Sequence, residues 1–591
     1  MNKHWDLSKL YSSFDDDKFK RERADLTLLL NDLEVWQHKS FKNNKEKAEQ
    51  FVEKLIDFYQ VYTKLNAFSQ LTVSIDAGNI KGLKLIEELE NEATRLTGSR
   101  VKFQQWLASL KNLDHLTKSS PLLRDHNFIL SELQEKSIYL LSEAEEIIFS
   151  KLKQTGSSAW TRLQQKLTST LMVEVEIEGE LKTLPLPEVR NLAFRKEPQV
   201  RRKGYEAELE AYQRIEEPVA AALNGIKGEV LIISEKRGFN HPLDEVLLNS
   251  RMERKTLEIM LEAIVDFLPC FHEFYKTKAQ LLGHKKGLPY YDLFAPMGKV
   301  TLEFSLDEAQ AYIIDNISKF SPDMANLYKK AFSENWIDSE PRKGKRGGAF
   351  CANLHSIGES RILSNFTGSF TDMITLAHEL GHAYHGHCLN EESILNASYP
   401  MPLAETASIF SETVITNAAL EETGSEEAFA ILEGRISHAG QVIVDIYSRY
   451  IFETKLFESR KKASLSVEEL KTLMSQAQKE AYGDALDHRF LHPYAWLNKP
   501  HYYMAGNNYY NFPYAFGLLF GLGIYALYQE RGASFLEDYK KLLAATGKNK
   551  IKEVATMAGI DLNSRSFWDQ SLAVIKNDLV SFKTKAHQLF N

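Results

Sequence analysis

Residues 375–387 read TLAHELGHAYHGH, and within them His378, Glu379 and His382 form the pattern His-Glu-x-x-His. Residues four apart on a helix lie about 40° apart around its axis and one turn along. Both imidazoles can therefore aim a nitrogen at a single metal ion, at about 2.0–2.1 Å if the ion is zinc. Glu379 stands beside the first histidine, where its carboxylate can act as a base toward water instead of ligating the metal. The flanking residues suit a helix. Thr371 is placed to cap it, Asp372 favours its positive N-terminal end, and Ile374, Leu376, Ala377 and Leu380 supply apolar faces. Gly381, between the two histidines, leaves room for a neighbouring backbone.

With 17 histidines in 591 residues, chance alone produces this pattern on the order of a few times per hundred such chains. The context has to carry the rest. A catalytic zinc takes a third protein ligand and keeps a fourth position open. The metzincin arrangement requires Gly and His at positions occupied by His385 and Cys388, so it is excluded. The alternative is a glutamate on a following helix, and residues 401–412, MPLAETASIFSE, supply one. Pro402 suits a first helical turn, and Glu405 and Glu412 lie two turns apart on one face. Glu405 is the expected ligand. Glu412 is expected to hydrogen-bond the far nitrogen of a ligating histidine. His385 lies seven residues after His378, on the same face, and reads as a packed or supporting histidine.

Outward from this helix the chain reads as mostly α. Phe51, Leu55, Phe58, Tyr62 and Leu65 repeat at helical spacing, as do Ile86, Leu89, Ala93 and Leu96, with charges on the other faces. Strand signals are local. Val173, Val175 and Ile177 alternate with glutamates ahead of Gly179, predicting a small exposed hairpin. Val300, Leu302 and Phe304 alternate likewise, and Ser305 with Glu308 resembles a capping box. Residues 348–354 and 361–366 read as a strand pair just upstream of the metal motif. The LPLP at residues 184–187 is the expected boundary between an N-terminal helical lobe, residues 1–187, and a catalytic region, residues 188–591.

Composition limits the function classes. A charge of -8 over this length offers no basic stripe for nucleic acid. Three scattered cysteines, Cys270, Cys351 and Cys388, fit a reducing compartment. The first twenty residues lack a signal-peptide core, and the most apolar run, residues 515–527, is too short to span a membrane. The expectation is a cytoplasmic protein with no membrane or nucleic-acid partner; the oligomeric state is not readable.

A second constellation, HPYAWLNKPHYYMAGNNYYNFPYAFG at residues 492–517, concentrates histidines and aromatic rings. Such rings pack cores, but tyrosine hydroxyls and a histidine also suit the stabilisation of an oxyanion. Here the resemblance becomes specific. WDLSKLY at residues 5–11, YYDLFAP at 290–296, GGAF at 347–350, TLAHELGHAYH, LAETASIFSE, the HYY…YYNFPYAFG stretch and a closing FW together resemble the oligoendopeptidase F branch of the thimet oligopeptidase-like metallopeptidases.

That resemblance implies a two-lobed helical shell around a deep substrate channel, with a small β-sheet beside one zinc ion. It implies that His378, His382 and Glu405 bind zinc, that Glu379 is the general base, and that internal bonds of short unstructured peptides are cut. It further implies substrate pairing along Gly347, Gly348, Ala349 and Phe350, and transition-state contacts from His501, Tyr510 and Tyr514. Phe512 stands where some relatives carry a tyrosine. Two other readings stay open: a helical zinc carboxypeptidase anchoring a terminus on Arg342, Lys343, Lys345 or Arg346, and a zinc-stabilised scaffold without catalysis. The retained Glu379 argues against the scaffold.

Overall fold

A computed structural model of the protein describes residues 3–300 and 302–590. Helix accounts for 71% of the chain and the sheets are small, as the helical periodicity predicts. The chain divides into two compact units, each assembled from three separate segments. Unit 1 comprises Met1–Glu143, Leu302–Ala418 and Leu527–Asp561; unit 2 comprises Ala144–Thr301, Ala419–Ala526 and Leu562–Asn591. The LPLP segment lies within unit 2, where it ends a strand and opens the short helix Leu186–Asn191.

In unit 1 the helix Asp17–Trp36 packs on the long helix Asn44–Ile75, which buries Phe51, Leu55, Phe58 and Leu65 as their spacing demands. Phe51 stacks on Phe103 with ring centroids 3.9 Å apart, and Trp36 closes the cluster. The predicted run through residues 86–96 is divided: one helix ends at Ala93 and the next begins at Leu96. The same unit holds a three-stranded sheet of β3 (Ile337–Asp338), β4 (Phe350–Leu354) and β5 (Glu359–Leu363) in the order β3-β5-β4. β4 runs antiparallel to β5, pairing Phe350 with Leu363, and β3 runs parallel to it. β4 is thus an edge strand. The strand pair exists, but β4 starts two residues later than predicted and β5 covers 359–363 instead of 361–366. The bend at Gly347 and Gly348 delays β4, for Gly348 has φ +80° and its carbonyl accepts from Asn365 Nδ2 at 2.8 Å.

The alternation at Val300, Leu302 and Phe304 yields a single antiparallel bridge, Glu303 to Ser369, rather than a strand. The capping box that follows is present, with Ser305 and Glu308 opening the helix Leu306–Phe320. In unit 2 the hairpin of β1 (Met172–Ile177) and β2 (Glu180–Pro185) turns through Glu178 and Gly179, both at positive φ. It is not exposed on both faces: Val173, Val175 and Ile177 are buried, and β1 packs on the helix Pro198–Tyr212. The apolar run at residues 515–527 lies in the helix Phe512–Arg531, much of it buried. Among the described residues no helix is long and apolar enough to cross a membrane.

Candidate active site

The His-Glu-x-x-His pattern lies on the helix Phe370–Cys388 of unit 1. Its N-cap is Ser369, not Thr371: the Ser369 hydroxyl accepts from the Asp372 N–H, and the Asp372 carboxylate accepts from Ser369 N–H in return. Thr371 sits one residue inside the helix, and the Met373 N–H two positions on already donates to the Ser369 carbonyl. The helix is seated on β4 and β5. Asn353 of β4 occupies the space that a side chain at Gly386 would need, and its Nδ2 donates to the His382 carbonyl at 3.3 Å.

Glu405 lies at a helix break, after the turn Met401–Ala404 and before the helix Thr406–Glu422. Pro402 occupies the first turn of the former, as expected. The two segments approach closely because Gly381 has no side chain: a methyl there would stand 2.6 Å from the Ala407 carbonyl oxygen. Ser411 Oγ fastens the pair by donating to the Ala377 carbonyl at 2.8 Å.

This approach brings His378, His382 and Glu405 together, with one potential ligand atom from each within 4.8 Å of the others. His378 Nε2 is 3.3 Å and His382 Nε2 is 3.5 Å from the same oxygen, Glu405 Oε2. Ligand atoms about 2.0–2.1 Å from one tetrahedral centre stand about 3.3 Å apart, so the residues fit a zinc-sized ion, and two imidazoles with a carboxylate are a donor set that zinc accepts. On the far side of His378, Glu412 Oε2 is 3.2 Å from Nδ1. Ser408 Oγ donates to Glu405 Oε2 at 2.9 Å.

The charges respond to this crowding. Burial opposes a charge on His378, but hydrogen bonds to Glu405 and Glu412 outweigh it and raise the imidazole to about 10. Burial and the neighbouring His378 push His382 down to about 4. Glu405, despite burial, is held at about 2 by the two imidazoles. Glu379 is 6% exposed, and burial lifts its carboxyl to about 7 while the charge of His378 opposes the rise. The Cys351 N–H of β4 also acts on that carboxylate, which places Glu379 against the edge strand.

His385 turns to different neighbours. It is fully buried, stacks on Tyr399 at 4.0 Å, and its Nε2 contacts Thr546 Oγ1 at 2.9 Å. Burial pushes it down to about 3. Of the basic loop residues, Lys345 is fully engaged by Asp338 at 2.8 Å and by three carbonyls, and Arg342 pairs with Asp338 at 2.6 Å. Neither is free to anchor a terminal carboxylate.

In unit 2, His501, Tyr510 and Tyr514 form a cluster of their own, with His501 ring centroids 5.3 and 6.1 Å from the two tyrosines. His501 Nδ1 is 3.2 Å from Asn511 Oδ1. Phe512 is buried at the start of the helix Phe512–Arg531. Sequence reasoning missed what holds this turn. Lys227 and Glu453 form a fully buried ion pair at 2.6 Å; Lys227 also donates to Asn508 Oδ1, and Glu453 accepts from the Tyr509 N–H, which stands at φ +51°. Both residues lie on ordinary amphipathic helices more than fifty positions away, and nothing in their local sequence marks them.

A helical protein carrying this triad, with a buried glutamate between the two histidines, has the constitution of a metallopeptidase. The comparisons agree. The profile of peptidase family M3 matches residues 192–574, and that of oligopeptidase F matches residues 108–172. An oligoendopeptidase F homolog of Lactococcus lactis subsp. lactis is 24% identical over 97% of this chain and 96% of its own. The group B oligopeptidase PepB of Streptococcus agalactiae is 21% identical over 98% and 96%. The crystal structure of oligoendopeptidase-F from Enterococcus faecium shares the fold with a TM-score of 0.72 at 16% identity, covering 97% of this chain and 99% of that one. The chain belongs to peptidase family M3, as a metalloendopeptidase of the oligoendopeptidase F type.

Proposed function

We propose that the protein hydrolyses internal peptide bonds of short, unstructured oligopeptides with one zinc ion held by His378, His382 and Glu405. The observation that carries this reading is the convergence of both histidine nitrogens on Glu405 Oε2, beside a buried carboxylate at Glu379. When bound, zinc supplies Lewis acidity, polarising oxygen and lowering the pKa of water from 15.7 toward about 7. Glu379, buried beside the two histidines, takes the proton from the attacking water and returns it to the leaving amine. Glu412 fixes the orientation of His378 through Nδ1. For His501, Tyr510 and Tyr514 the role proposed is the one the family resemblance implies, hydrogen bonds to the transition state.

The substrate class follows from the edge strand. A peptide added along β4 from Phe350, with Gly347, Gly348 and Ala349 leading into the strand through their bend, is held by main-chain hydrogen bonds, which tolerate many side chains. Such pairing needs an extended, accessible backbone, which an unstructured peptide offers along its length and a folded protein offers only at an exposed sheet edge. The free cysteines agree with a cytoplasmic setting. The test is digestion of peptides blocked at both ends alongside a stably folded protein, with cleavage positions mapped by mass spectrometry. Internal cuts in the blocked peptides and an intact folded protein are expected. Loss of cleavage on blocking the ends would overturn the endopeptidase reading.

A further inference from the structure

A cavity of about 240 Å³ lies inside unit 2, lined in part by the helix Pro198–Tyr212 and by the segment just before His501. Four cationic side chains line it against two carboxylates, and the pairing is uneven. Arg190 Nε is 3.3 Å from Glu208, Arg449 pairs with Asp445, and Arg201 donates Nε to Asp292 at 2.6 Å. Each arginine therefore has a carboxylate partner, although Asp292 also meets His284 at 2.6 Å and Glu208 meets His492 at 3.5 Å. Lys499 has no close partner of this kind among the described residues: Asp445 and Glu208, already paired with Arg449 and Arg190, act on it only through their charge. Burial, and then the charge of Arg449, push that ammonium down to about 7, although Asp445 and Glu208 oppose the fall.

Arg201 supplies a second spare donor. The residue is 2% exposed; its Nη1 donates to the carbonyls of Arg195 and Lys196 at 2.8 Å each, while Nη2 meets no partner. A buried donor without a partner costs about 1–3 kcal/mol. The geometry points to a site in this cavity for one carboxylate, with the Lys499 ammonium and Arg201 Nη2 as its donors. One unmatched positive charge calls for a monoanion, and Tyr290 and Phe294 wall the same space for an apolar body. The volume falls below the roughly 300–1,000 Å³ of sites for drug-sized ligands, so the occupant is small or is one residue of a longer molecule. Either an acidic side chain or terminus of a bound peptide, or a small free acid, offers this chemistry. The charge of Lys499 also acts on His501, so an occupant is felt at that ring.

N-acetylglycine and N-acetylglycinamide differ in the one charge that matters. Calorimetric titration and thermal melting of the wild-type protein should show saturable binding and a raised midpoint with the acid and neither with the amide. Lys499→Met should weaken the acid by about tenfold, the loss of one charged hydrogen bond, and Lys499→Arg should restore it. Binding should persist in Glu379→Gln, so this result stands apart from the assignment of the base. Equal behaviour of acid and amide overturns the site without recourse to any variant. Unchanged affinity in a Lys499→Met protein that melts like the wild type does so too, as does tighter binding of inorganic phosphate. End-blocked peptides carrying a single Glu or Gln at varied positions separate the two sources. A lower KM for the Glu peptide, lost in Lys499→Met, assigns the carboxylate to substrate; equal KM with acid binding intact assigns it to a free acid.

Discussion

Replacing Gly381 by alanine probes the contact on which the proposed metal site depends. The new methyl would stand 2.6 Å from both the Ala407 oxygen and Ser408 Cα, and 2.9 Å from the Ala407 carbonyl carbon. Ordinary carbon contacts lie at about 3.5–4.0 Å, so the two segments must part by roughly 1 Å. Both sides of the clash are backbone, and no rotamer change relieves it. Overpacking of this kind costs about 1–3 kcal/mol. Ala407 is two residues from Glu405, whose Oε2 now stands 3.3 and 3.5 Å from the histidine nitrogens. Metal sites tolerate about 0.2 Å in ligand distance, so a 1 Å displacement should lower zinc affinity by about 10–100-fold, the scale of lost ligand support. Chelator competition for zinc and the thermal midpoint measure the two effects separately. Gly434, on the helix Ser425–Gly440, is the control: a methyl there meets nothing within 4 Å, and Gly434→Ala should be neutral or stabilising by about 0.4–1 kcal/mol. A Gly381→Ala protein that melts and holds zinc like the wild type would refute the reasoning.

Glu379→Gln should keep its zinc by metal analysis while kcat/KM falls about 10²–10⁴-fold, the loss of one general base; near-full activity removes Glu379 from the mechanism. Glu405→Ala should lose more zinc affinity than Glu412→Ala, for which about 10–100-fold is expected because it acts through His378 Nδ1; the reverse ranking exchanges their roles. Ser369→Ala should lower stability by about 0.5–2 kcal/mol through loss of the cap, whereas Thr371→Ala should not, and equal effects would return the cap to Thr371.

The metal helix was legible because its chemistry and its periodicity lie in one short stretch: four-residue spacing puts His378 and His382 on one face, and Gly381 announces a close neighbour. Glu405 could be found because its segment follows directly and Pro402 marks its first turn. The cap lies two residues earlier than expected, at Ser369, which has Asp372 three positions on and so the capping-box pattern that Thr371, followed by Ile374, lacks. β4 was misjudged at its start because apolar content runs back through Gly348, while the φ that ends the strand does not show in composition. The neighbours of His385, Tyr399 and Thr546, come from segments that meet only in the folded chain. The same holds for Lys227 and Glu453, which secure the turn before Tyr510.

The interleaving of the two units governs the order in which the chain can mature during synthesis. Unit 1 begins with the first segment yet needs residues up to Asp561, and unit 2 needs the helix Arg565–Phe590. At about 5–20 residues per second, roughly 20–80 s pass between the emergence of Glu143 and that of Asp561. For the part of that interval before residues 350–395 emerge, the apolar cluster around Phe51, Phe103 and Trp36 lacks Leu354 and Leu363, and local helices form ahead of the long-range contacts that complete each unit. Neither unit is a stretch of sequence that can be cut out and expressed alone. A nonsense mutation near the end of the reading frame should therefore behave as a folding defect, met by chaperones and proteases, rather than as a trimmed but working enzyme.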